Sequence, residues 1–150
     1  MRGPLARLRQ SRADDRELGT GLWRRGHDRF ARALERYWQV VLDERSASTL
    51  TPEQRNGVVH AGNVLAEALP RVRRLCARLR ATHPGDDEQR VPPAAADAHR
   101  ELSRASHELA ATAQAAAMFR LGQGSSDAVG RHAERTLAHV ARAEALSGRA

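Results

Sequence analysis

Between Thr51 and Thr82 the sequence TPEQRNGVVHAGNVLAEALPRVRRLCARLRAT holds one apolar phase throughout, and this run constrains the fold more than any other. Val58, Leu65, Val72 and Leu79 recur at seven-residue intervals, with Gly62, Leu69 and Cys76 interleaved at the alternating spacing of a helical seam. A strand would need a period of two, which the run lacks. The helix has a defined start: Thr51 is a capping residue, Pro52 suits the first helical position, and Gln54 stands where a capping box returns its hydrogen bond. Pro70 removes a backbone donor and crowds the carbonyl of Ala66. Because the seam keeps its phase across Pro70, the pattern predicts one kinked, continuous helix about 45 Å long.

Three further helices follow from the same reasoning. Thr20 is placed to cap a seam through Trp23, Phe30, Leu34, Tyr37 and Val41, predicting a helix from Gly21 to Arg45. After His83, PGDDEQRVPP cannot continue a helix, and it forms the longest loop and the only acidic one. Leu102, Ala105, Leu109, Thr112, Ala116 and Phe119 then mark a helix from Pro93 to Leu121 with an Ala-rich middle, ELAATAQAAAM. Gly122 suits the end of that helix, Ser125 or Ser126 the cap of the next, and Val129, Ala133, Thr136, Val140 and Ala143 carry the last seam to about Ser147. Short connections imply antiparallel neighbours. The expected fold is all-α: a four-helix antiparallel up-down-up-down bundle over residues 20–150, preceded by a mobile basic segment over residues 1–19. Leu5, Leu8 and Leu18 in that segment are too sparse to hold a membrane by themselves.

Composition narrows the function classes. The formal charge is +7, every basic residue being Arg, which favours phosphates, acidic proteins or anionic lipid as partners. The lone Cys76 lies on the seam, where a thiol packs as a small apolar group. No apolar run reaches membrane-spanning length and the N-terminus lacks an apolar signal core, so the expected location is cytoplasmic. The His residues fall into none of the ligand spacings of di-iron bundles or zinc peptidases, so no metal ligands and no cofactor are assigned. GQGSSDAVG follows a helix instead of a strand and lacks the P-loop Lys, so helix capping accounts for it. Ser103, Ser106 and His107 share a helix turn but have no free amide donors nearby to make an oxyanion hole.

Two groups of residues remain as candidate sites. Arg71, Arg73, Arg74, Arg78 and Arg80 fall on a stretch with no acid, Arg71, Arg74 and Arg78 on the outer face and Arg73 and Arg80 beside the seam. They form a candidate anion- or partner-binding face, which the loop acids Asp86, Asp87 and Glu88 are placed to neutralise. Trp38, Val40 and Leu42 extend the apolar surface of the first predicted helix beyond its seam and form a candidate protein interface. The expected function is a helical interaction or regulatory module acting by protein–protein contact, with a homo-oligomer or a protein partner. The alternatives are a small-molecule or metal-dependent enzyme with a His site between helices, and a non-specific nucleic-acid binder using the Arg face. The arrangement of His60, His99, His107, His132 and His139 separates them: convergence on one cavity favours the enzyme.

Overall fold

A computed structural model of the chain describes residues 3–45, 47–85 and 90–148. It is all-helical among those residues, with five α-helices packed together: α1 (Pro4–Leu18), α2 (Leu22–Val41), α3 (Pro52–Thr82), α4 (Ala96–Arg120) and α5 (Ser126–Ser147). A single turn of 3₁₀ helix, Pro93–Ala95, leads into α4.

The local signals act as their chemistry requires. Thr51 accepts from the Gln54 backbone N–H at 3.2 Å while the Gln54 side chain accepts from the Thr51 N–H at 3.0 Å, closing the capping box of α3. The helix then runs unbroken through Pro70. Gly122, at φ 74°, ends α4 by sending its N–H to Phe119 O while the Gln123 N–H reaches Met118 O, the paired bonds of a Schellman motif. Ser125 caps α5 by accepting from the Ala128 N–H at 3.1 Å.

Other expectations are corrected. The segment expected as a mobile tail is a helix, α1, started by Pro4 and ended by Gly19 at φ 72°. Its last residue, Leu18, is fully buried, so the described residues form five packed helices and not the expected four. Helix α2 begins after Gly21 without a side-chain cap, so Thr20 does not serve that role, and it stops at Val41, short of Arg45. The seam of α3 is wider than predicted: Ala68 and Leu75 join the core, while Leu69 is only partly buried at its edge. Asp86, Asp87 and Glu88 lie outside the described residues.

The packing order also differs. Tyr37 donates to Val58 O at 2.6 Å and the Trp23 indole N–H to His83 O at 2.8 Å, which sets α2 and α3 antiparallel. The pairs Glu101–His139 and Glu108–His132 do the same for α4 and α5. Trp23, however, meets His99 edge to face at 5.9 Å, and Arg120 at the far end of α4 donates to Val40 O, so α2 and α4 run parallel side by side. Val58 and Val129 share a groove, and Arg71 meets Glu144 further along, which makes α3 and α5 parallel too. Around the long helices the order is therefore α2, α3, α5, α4, and the connection from α3 to α4 joins opposite corners. Directions alternate along the chain, but two pairs of neighbours are parallel instead of antiparallel.

Candidate functional site

The Arg-rich half of α3 is two rows and not one face. Arg71 and Arg78 turn toward α5: Arg71 binds Glu144 at 2.5 Å through Nη2, and Arg78 donates to Ser147 Oγ at 2.7 Å. Arg73 and Arg80 turn toward α1: Arg73 bridges Asp14 at 2.6 Å and Glu17 at 2.8 Å, and Arg80 donates to Arg16 O at 3.1 Å. Residues seven apart on a helix share a face, so each row grips one neighbour. Arg74 alone points outward, exposed and without a partner among the described residues. Burial acts to raise the Asp14 carboxyl, but hydrogen bonds from Arg73 and Gln10 and the fields of Arg73 and Arg24 outweigh it and hold the group below its usual range. Arg71 is held above its ordinary value, first by its hydrogen bond to Glu144. Acids of α1 and α5 therefore neutralise this stretch; the spacing of Asp14 and Glu17, one helical turn apart, was the available signal.

Of the candidate interface residues, Trp38 turns its ring inward. The backbone of Gly62 lies directly beneath it, so close that a Cβ there would stand 2.6 Å from Trp38 Cη2 and 2.9 Å from Tyr37 Cε1. The seam glycine is thus a socket for the indole of the neighbouring helix. Val40 is partly buried and, with Arg36, lines a groove against Ala110, Ala113, Gln114 and Ala117 of α4. Leu42 is 51 % exposed, and Met118 and Leu121, at 40 % and 58 %, stand near the same end of the molecule. Sequence reasoning missed the surface next to them: from Leu109 to Phe119 helix α4 carries no charge, although Ala110, Gln114 and Met118 are exposed.

The histidines disperse instead of converging. His132 meets Glu108 at 2.9 Å and His139 meets Glu101 at 2.6 Å, two ties across the α4–α5 seam; His27 is buried beside Asp28, His99 packs on Trp23, and His60 and His107 are exposed. Among the described residues no three His, Cys, Asp or Glu side chains gather as metal ligands would. Burial opposes ionisation of Glu101, but hydrogen bonds from His139 and Arg104 prevail and hold its carboxyl below the ordinary range. Burial and then the field of Asp28 push the Cys76 thiol up to about 12, leaving it no thiolate for nucleophilic chemistry near neutral pH.

Comparison with protein-family models, with curated proteins and with solved structures gave no match, so function rests on the chemistry of these surfaces.

Proposed function

We propose that the protein is a helical interaction module that pairs with a second copy of itself through the outer face of α4, with Val40 and Leu42 of α2 at the rim. The observation that carries this reading is the absence of charge from Leu109 to Phe119 on a helix whose outer positions face solvent. Charged residues make up 29 % of the chain, and depletion of charge at the centre of a patch is the compositional mark of an interface. Ala110 and Ala117 keep the surface low, which lets a second helix approach within about 8–10 Å. Gln114 stands between them, exposed and without a partner among the described residues. Its amide carries both donors and an acceptor, so across a two-fold axis it can pair with its own counterpart. The α4 side of the contact carries no Arg, which suits self-contact in a chain of net charge +7, while Arg36 of α2 lines the groove beside it.

The enzyme and nucleic-acid alternatives have less behind them: the histidines are spread over several helices, and Arg71 and Arg73 already meet carboxylates. The test is native mass as a function of concentration. The wild type is expected to form a dimer, and A110E combined with M118E to yield single chains with the helical spectrum unchanged. A wild type of single-chain mass at high concentration overturns the proposal, as does a double variant that remains dimeric.

A further inference from the structure

Helix α1 contributes a second surface. From Pro4 to Ala13 every residue is exposed, and among the described residues the ties of the helix to the body come from its C-terminal half. Its acids are all paired with arginines of the body: Asp14 and Glu17 meet Arg73, and the half-exposed Asp15, at the edge of the outer face, meets Arg24. What is left outward is one-sided. Leu5, Leu8, Arg9 and Arg12 follow the spacing that places residues on a single helix face, and Arg16 continues the stripe. Leu5 is 73 % and Leu8 54 % exposed. Arg7, Arg9 and Arg12 have no acidic partner among the described residues.

We propose that this outer face of α1 docks the protein on the surface of an anionic lipid bilayer. A bilayer interface is the partner that satisfies both halves of the stripe at once. The leucines enter the boundary between headgroups and acyl chains, and the guanidiniums reach lipid phosphates while their stems lie along apolar surface. Two leucines alone are a weak anchor, and a basic cluster supplies the second signal that reversible binding needs. Nucleic acid would satisfy the arginines but would leave the leucines in water, and α1 has no aromatic on which a base could stack. The pairs of Asp14 and Glu17 use the opposite side of α1, and Asp15, seven residues after Leu8, is already neutralised by Arg24, so the helix can dock without leaving the body of the protein.

The experiment is vesicle flotation of the full chain, with phosphatidylcholine alone or mixed with about a third phosphatidylglycerol. Wild type is expected to float only with the anionic vesicles and to be released by salt. L5S/L8S and R9Q/R12Q, all at exposed positions, should each weaken binding by roughly tenfold or more with helicity retained. Duplex DNA serves as the control polyanion, and the leucine variant should leave any DNA retention unchanged. Failure of the wild type to float with anionic vesicles at low ionic strength overturns the proposal. Undiminished flotation of L5S/L8S also overturns it, since binding would then be a general response to polyanions.

Discussion

At Gly62 a single hydrogen in place of a methyl group decides how two helices meet. Trp38 lies against its backbone, and any Cβ must push the indole or the whole of α2 away. G62V is therefore expected to lower stability by roughly 1–3 kcal/mol in urea unfolding, the usual range for overpacking a core. Gly57, one and a half turns earlier on the same helix, has nothing within 4 Å of an added Cβ. G57A should instead gain up to about 1 kcal/mol, because only the helix propensity changes. Opposite signs for two glycines of one helix isolate the socket from the general cost of glycine. The sequence places Gly62 on the seam, but only the fold shows which side chain fills the space its missing Cβ leaves open.

At the scale of elements, α2 stops at Val41, and Arg120 of α4 caps its end. Arg120 is almost fully buried and donates to Val40 O and, at 2.6 Å, to Asp43 O. Its own carbonyl accepts from the Thr49 N–H at 2.9 Å, so the link between α2 and α3 is held at the end of α4. A charged donor on carbonyls withdrawn from water is worth more than an exposed bond, and R120M should cost roughly 2–3 kcal/mol, read as a lower urea midpoint with the slope unchanged. A variant as stable as wild type would mean that water replaces the guanidinium at no loss. Periodicity predicts α2 as far as Arg45, since nothing local to YWQVVLDER announces an arginine 80 residues away. The capping signals of α3 and α5 were legible for the opposite reason: donor and acceptor lie within three residues of each other.

For the whole molecule, acid is the informative stress. Burial, and then the field of Arg29, lower His99 below its ordinary value of 6.5, so the unfolded chain binds that proton first. Stability is thus expected to fall as pH drops through 6.5 toward the lowered folded value, and H99Q should flatten that part of the profile. Glu101 and Asp14 are both held down in the folded state, from ordinary values of 4.5 and 3.8. Their contribution is complete above those values and is lost on further acidification, releasing the α4–α5 and α1–α3 ties. Melting temperatures followed from pH 8 to pH 3 check both steps. A profile that H99Q leaves unaltered near pH 6 would place the first step elsewhere.

The sequence by itself determined that this chain is helical, where its four longest helices lie to within a few residues, and that Cys76, Leu65 and Tyr37 are buried. Those properties depend on a repeat of about 3.6 residues and on caps that act within one turn. Tertiary structure alone decided that α1 is a helix docked on the others, that Trp38 turns inward, and that the arginines of α3 divide between α1 and α5. It also decided that α2 lies beside α4 and α3 beside α5. The physical reason is common to all of these: a period states which residues share a face, but not which face of another helix it meets. Aliphatic seams of similar width are nearly interchangeable partners, and the choice among them is made by long-range ties such as Tyr37 to Val58, Arg71 to Glu144 and Arg73 to Asp14.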